Sequence, residues 1–221
     1  MNELVISIKN AYKKFGEQVV LNDVSLEIYK GRIYGIIGRN GSGKTVLFKS
    51  ICGFILLDSG EITVLDKVIG KDVDMPKNVG LIIETPGFLK DYSAYWNLKF
   101  LADLNKKITN DDIKNAIRRV GLNPEDKKAV GKYSLGMRQR LGIAQAIMEN
   151  PDILVLDEPF NALDEASCEN VKKMILSAKV PDRVVLLSCH DKNQINALCD
   201  ETIELAQGKI IRRDSLYEKE K

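Results

Sequence analysis

Eight residues, Gly38-Arg39-Asn40-Gly41-Ser42-Gly43-Lys44-Thr45, fit the phosphate-binding pattern G-x-x-x-x-G-K-[ST] at every fixed position. Glycines at these spacings let a backbone curl so that several N–H groups face one anion. Lys44 would reach the β- and γ-phosphates of a nucleotide, and the Thr45 hydroxyl would hold Mg²⁺. Gly38, Asn40, Gly41, Ser42 and Gly43 form the cradle. The pattern carries weight because an apolar run, Ile33 to Ile37, precedes it and a helix-like run, Val46 to Ile51, follows. A helix starting there adds the positive end of its dipole.

A second chemical group lies downstream. Ile153-Leu154-Val155-Leu156 is an apolar run ending in Asp157 and Glu158. A buried strand of this kind delivers its last residues to the carboxyl edge of a sheet, where ligands of open α/β folds sit. Asp157 is expected to hold Mg²⁺ through water, and Glu158 to polarise the water that attacks the γ-phosphate. Val184 to Leu187 is another such run, followed by Ser188, Cys189 and His190, the chain's one histidine. An imidazole at that strand end is expected to hydrogen-bond the γ-phosphate and sense its loss.

Apolar periodicity indicates the elements that position these groups. Strands are expected at Val5–Ile8 and Val19–Ile28, joined by a polar turn at Phe15-Gly16-Glu17, and at Ile33–Ile37, Glu61–Leu65 and Val79–Ile83. From Ser93 to Asn150 the pattern is helical, with helices at Asp111–Val120 and Leu135–Met148. The last third alternates strand and helix, with helices near Ala166–Lys179 and Asn193–Leu198, and closes in a hairpin around Gln207-Gly208. This is an α/β chain with an antiparallel sheet at its start and a helical insertion in its middle.

Composition narrows the class. The 221 residues are 44% hydrophobic, enough for a sizeable core. With 33 basic and 31 acidic residues the net charge is +2, which does not call for a nucleic-acid partner. Cys52, Cys168, Cys189 and Cys199 lack metal-ligand spacing and read as reduced, packed thiols. No signal peptide and no membrane-spanning run is expected.

Tyr133-Ser134-Leu135-Gly136-Met137 resembles Leu-Ser-Gly-Gly-Gln, the signature of the ATP-binding-cassette (ABC) ATPases, and Asn161-Ala162-Leu163-Asp164 resembles their D-loop. The order of phosphate loop, signature, Asp-Glu strand and Ser-Cys-His matches that family over residues 3 to 213. The resemblance implies a single domain: a P-loop NTPase core with a mostly parallel sheet (about 1–84 and 151–221), including an N-terminal antiparallel β subdomain, and a helical signature subdomain (about 85–150). It implies ATP and Mg²⁺ as ligands and ATP hydrolysis as the activity. It also implies two cassettes meeting head to tail, as a homodimer or a heterodimer, with Ser134 and Gly136 of one chain on the γ-phosphate held by the other. Asp164 would communicate across that dimer. Phe15 stands where the family usually has an adenine-stacking tyrosine, with Tyr12 as the second candidate. An integral membrane permease is the implied partner, which would set the chain at the inner face of the cell membrane.

Three positions depart from the family pattern. Leu135 replaces a signature glycine, Met137 replaces the signature glutamine, and Glu84 replaces the Q-loop glutamine. A glutamate can still reach Mg²⁺ and the attacking water, but it brings a full charge beside Asp157 and Glu158. Glu84 and the Ser-Leu-Gly-Met signature resemble the bacitracin-resistance and lantibiotic-immunity exporters. Five aromatics, Phe88, Tyr92, Tyr95, Trp96 and Phe100, fall within 13 residues after Glu84. Their spacing is helical; some are expected in the core and some in the groove that receives the membrane subunit. The alternative reading, an ABC ATPase acting on DNA or ribosomes, fits less well. Only 88 residues lie between Thr45 and Ser134, with no heptads for a coiled coil.

Overall fold

The computed structural model describes residues 3–84, 86–189, 195 and 197–215. Strands β1 (Leu4–Phe15) and β2 (Gln18–Tyr29) form a long antiparallel hairpin, with Ile6 opposite Ile28 and Ile8 opposite Leu26. The hairpin runs further toward its turn than apolar alternation suggests. Backbone pairing carries through Lys13, Lys14 and Phe15, whose side chains are polar or solvent-facing. With β4 (Ser59–Val64) and the two-residue β5 (Lys67–Val68) it makes a four-stranded sheet of order β2-β1-β4-β5.

The second sheet has six strands in the order β10-β9-β3-β8-β7-β6. Strands β3 (Ile33–Ile37), β6 (Val79–Ile82), β7 (Ile153–Leu156), β8 (Val184–Cys189) and β9 (Glu201–Ala206) run parallel; β10 (Lys209–Ser215) closes one edge antiparallel to β9. Every residue of β3, β7 and β8 is buried, because both faces of this sheet are covered. Alternation assigns the faces. Ile153, Val155, Val184 and Leu186 join the core shared with the hairpin and α1 (Lys44–Ile51). Leu154, Leu156, Val185 and Leu187 point to the other face, under α2 (Ala94–Asn105), α3 (Asn110–Arg119), α4 (Leu135–Ile147) and α5 (Glu165–Ala178). Each fully buried Leu or Ile contributes about 1.5–3 kcal/mol, so these paired faces fix how the sheet sits between its layers.

Short-range chemistry sets the helix starts. Ser93, Thr109, Ser134 and Asp164 cap α2, α3, α4 and α5 by accepting hydrogen bonds from backbone N–H groups of the first turn. Thr109 and Asp112 complete a reciprocal capping box. Within the helical stretch only three α-helices form, because Gly121 to Lys132 runs as turns and a short 3₁₀ segment. Among the described residues no helix is long and apolar enough to cross a membrane. Of the helix expected at Asn193–Leu198, residues 193, 194 and 196 lie outside the described residues, while Ile195, Ala197 and Leu198 are helical.

Candidate functional site

The phosphate loop leaves β3 at its carboxyl end and enters α1, whose N-cap is Gly43 at φ 108°. A Cβ there would stand 2.7 Å from the Val20 carbonyl oxygen, so glycine is required both by the backbone angle and by the approach of β2. At Gly41, by contrast, a Cβ would meet nothing within 4 Å, because this side of the loop opens onto a cleft of about 410 Å³. Gln18, Val20, the loop residues 40–46, Glu158 and Asn161 line it. Lys44 is buried, and its Nζ donates to the carbonyls of Gly38 at 2.8 Å and Arg39 at 3.2 Å. The same ammonium lies 3.7 Å from Glu158 Oε1. The buried Ser42 hydroxyl has no hydrogen-bond partner among the described residues. An unpartnered donor on a loop of inward N–H groups fits a phosphate.

Parallel pairing brings the second group to the loop. Leu156 lies opposite Leu187 and Ile37 opposite Cys189, so β7, β8 and β3 end side by side. The Thr45 hydroxyl donates to Asp157 Oδ2 at 2.7 Å and the Ser188 hydroxyl donates to Asp157 Oδ1 at 2.6 Å. The Glu158 N–H donates back to Ser188 Oγ at 2.9 Å. Hydroxyl and carboxylate oxygens on adjacent elements are the donor set of a hard divalent cation such as Mg²⁺. Ser188 entered the sequence reading only within the second apolar run and the Ser-Cys-His order, with no role of its own. Its role depends on a neighbouring strand and carries no spacing signal of its own.

Glu158 adopts φ 51°, a left-handed backbone uncommon for a residue with a side chain. Such a conformation costs about 1–3 kcal/mol and persists only where surroundings impose it. Here Ser188 holds its N–H, and its carbonyl accepts from the Asn161 N–H at 3.2 Å and from Gln139 Nε2 at 3.1 Å.

The other expected residues are distributed differently. Glu84 follows β6 with φ 57°, and its Oε1 takes the Lys49 ammonium at 2.7 Å. Lys49 sits on α1 four residues after Thr45, so a cation offsets the charge that this departure adds. In this conformation the Glu84 carboxylate is largely exposed and paired with Lys49. Among the described residues no three His, Cys, Asp or Glu side chains are grouped to hold a metal. His190 lies outside the described residues, but the strand leading to it does neighbour the strand carrying Asp157.

Phe15, at the hairpin end, is 47% exposed with Lys13 Nζ 5.4 Å from its ring centroid. Tyr12 is partly buried on the same strand. Ser134 is exposed, caps α4 through the Met137 N–H at 3.1 Å, and puts Leu135 at the first helical position without positive φ. Gly136 is pressed against the D-loop segment: a Cβ there would stand 2.7 Å from the Ala162 carbonyl. Asp164 accepts from the Ser167 N–H at 2.8 Å, which holds its carboxyl below the usual carboxylate range. None of Phe15, Ser134, Gly136 or Asp164 lines the cleft of its own chain. The aromatic group divides as well. Phe88 and Tyr95 pack partly buried against the core, while Tyr92, Trp96 and Phe100 are exposed in edge-to-face and tilted contacts at 5.1 and 5.9 Å.

A glycine cradle at the end of a parallel strand, a lysine within it, and an acidic strand end hydrogen-bonded to its threonine define a P-loop nucleoside triphosphatase. Residues 21–161 match the family model of the ABC transporters. The ABC transporter ATP-binding protein YybJ of Bacillus subtilis (strain 168) is 43% identical over 206 residues, covering 93% of this chain and 94% of that one. The bacitracin transport ATP-binding protein BcrA of Enterococcus faecalis is 34% identical over 218 residues, 98% of this chain and 71% of that one. The fold is that of the ATP-binding cassette MJ0796, solved as a dimer in a post-hydrolysis state with ADP and Pi: TM-score 0.86 at 22% identity, over 96% of this chain and 98% of that one. The chain belongs to the ABC transporter family.

Proposed function

We propose that two copies of this chain close head to tail around two Mg-ATP and thereby drive a separate membrane protein that exports a peptide antibiotic or a similar compound. One observation carries the ATPase part of this reading. Thr45, Asp157, Ser188 and Glu158 are joined by successive hydrogen bonds beside the Lys44 ammonium, at the rim of the phosphate-loop cleft. In this scheme the loop N–H groups and Lys44 orient the triphosphate. Thr45 and Asp157 would hold Mg²⁺, which supplies charge neutralisation at the phosphate oxygens. Glu158 orients and deprotonates the attacking water, with His190 hydrogen-bonding the γ-phosphate. Glu84 is assigned to the metal and water side of the site, and reaching it requires release from Lys49.

The head-to-tail part draws support from where the signature sits. Ser134 and Gly136 stand outside their own chain's cleft, so a second copy is the natural recipient of their hydroxyl and N–H donors. Each donor aimed at developing phosphate charge is worth about 2.7–4 kcal/mol by analogy with oxyanion sites. Phe15 stacks on the adenine from the hairpin end, and Asp164 relays between the two sites. The exposed ridge of Tyr92, Trp96 and Phe100 is assigned to the membrane subunit, since aromatics are enriched at such interfaces. The choice of a peptide antibiotic follows the kinship with a bacitracin transport protein.

The test is Glu158→Gln in the full chain. The variant should bind Mg-ATP, stall hydrolysis and accumulate a nucleotide-containing dimer on size exclusion. Undiminished turnover would remove Glu158 as the base and this reading with it.

A further inference from the structure

Glu158 is held at a left-handed backbone angle by groups from three separate elements. Ser188 reaches it from β8, Asn161 from the turn that follows, and Gln139 from α4. The Gln139 bond differs from the others. Gln139 is a buried polar side chain on a helix whose neighbouring inward residues, Leu141, Gly142 and Ile143, offer it no polar partner in the core. Its amide spends a donor on one backbone oxygen 19 residues away. That oxygen already has the Asn161 N–H, so the bond is not needed to satisfy a buried carbonyl.

The helix that carries Gln139 begins at Ser134. Five residues of α-helix span about 7.5 Å and transmit displacement as a rigid rod. The same helix touches the same segment again where Gly136 meets the Ala162 carbonyl. Helix α4 therefore grips the stretch from Glu158 to Ala162 at two points, one covering the catalytic residue and one covering the loop after it.

We infer that Gln139 is a positioning residue for Glu158: it fixes the backbone that aims the carboxylate, and it ties that aim to the location of the signature helix. When Ser134 engages a nucleotide held by the partner, any shift of α4 reaches the Glu158 of its own chain through this amide. The inference rests on Glu158 acting as the base. The role is distinct from nucleotide binding, because Gln139 does not line the phosphate cleft.

The experiment uses the full chain with Gln139→Met, which keeps the length and removes the donor, and Gln139→Asn, which keeps the amide but cannot span the gap. Steady-state ATPase rates over a range of Mg-ATP, beside Glu158→Gln and the Gln139→Met/Glu158→Gln double variant, separate the roles. A misaimed group of this kind lowers kcat about 10- to 100-fold, while KM for ATP stays within about twofold. The double variant should turn over no more slowly than Glu158→Gln alone, because residues acting as a unit are non-additive. Hydrogen exchange without nucleotide gives a readout independent of turnover: the amides of 158 and 160–163 should lose protection in Gln139→Met while those of 135–147 keep theirs. Should Gln139→Met fail to fold, Gln139→Asn bears the same expectations. A kcat equal to that of the unmodified chain, or a Gln139→Met effect of the same factor in the Glu158→Gln background as in the unmodified chain, overturns the positioning role. If Glu158→Gln itself turns over at full rate, the base assignment fails first and this inference falls with it.

Discussion

The contact between Gly136 and Ala162 offers a sharp test, because substitution pushes stability and turnover in different proportions. In Gly136→Ala the new Cβ lies 2.7 Å from the Ala162 carbonyl oxygen, against ordinary contacts that begin at 3.4 Å. The neighbour is backbone, so either the start of α4 or the D-loop segment must retreat by several tenths of an ångström. Overpacking of this kind costs about 1–3 kcal/mol. Alanine at a helical position regains up to about 1 kcal/mol over glycine through its backbone preference. The net destabilisation is therefore about 0–3 kcal/mol, a fall in Tm of about 0–12 °C for a chain of this length. Turnover has no such compensation. Ser134, which presents the signature hydroxyl, is two residues from the clash, and Asn161, which lines the cleft and holds the Glu158 carbonyl, is one residue from Ala162. Since a 1 Å misplacement costs about 100-fold, a shift approaching that size should lower kcat about tenfold or more. Thermal melting by circular dichroism and steady-state ATPase rates measure the two effects on one preparation. A variant with wild-type kcat and wild-type Tm would mean that α4 and the D-loop segment have slack, and would refute the close coupling described here.

Two further outcomes follow from surface features of the site. Glu84→Gln removes an exposed ion pair with Lys49, a loss within about 1 kcal/mol; ATPase activity should stay within a few-fold while coupling to transport weakens, and complete loss of hydrolysis would contradict this. Trp96→Ala, at a ring 51% exposed on α2, should leave basal ATPase unchanged and reduce the stimulation expected on reconstitution with the proposed membrane subunit. Equal stimulation in that variant would withdraw the docking ridge.

Much of the site was readable before any coordinates, for a reason that particular residues illustrate. The phosphate loop is contiguous, and its glycines, Lys44 and Thr45 each answer a local demand: a backbone angle, a reach, a hydroxyl at the first turn. The buried strands β3, β7 and β8 announce themselves as unbroken apolar runs because both sheet faces are covered. Ser134 and Asp164 have the residue types that cap helices, and they do so. The extra length of β1 and β2 escaped notice because pairing there depends on backbone bonds rather than on apolar side chains. Gly121 to Lys132 carries turn residues of its own, Gly121, Asn123, Pro124, Asp126 and Gly131, which a reading led by the amphipathic flanks passes over.

By itself the amino-acid sequence determined which groups are available and in what order: a glycine-rich loop ending in Lys44 and Thr45, a signature-like segment at Ser134, and the acidic pair Asp157-Glu158 at the end of an apolar run. Which of those groups touch was decided only by tertiary structure. Ser188 meets Asp157 across 31 residues, Gln139 meets Glu158 across 19, and Lys49 meets Glu84 across 35. Each meeting depends on parallel strand register, such as Leu156 opposite Leu187, or on how α4 lies against the sheet. Register and helix placement follow from burying whole faces at once. That cooperative requirement is spread over dozens of side chains, and no local spacing encodes it.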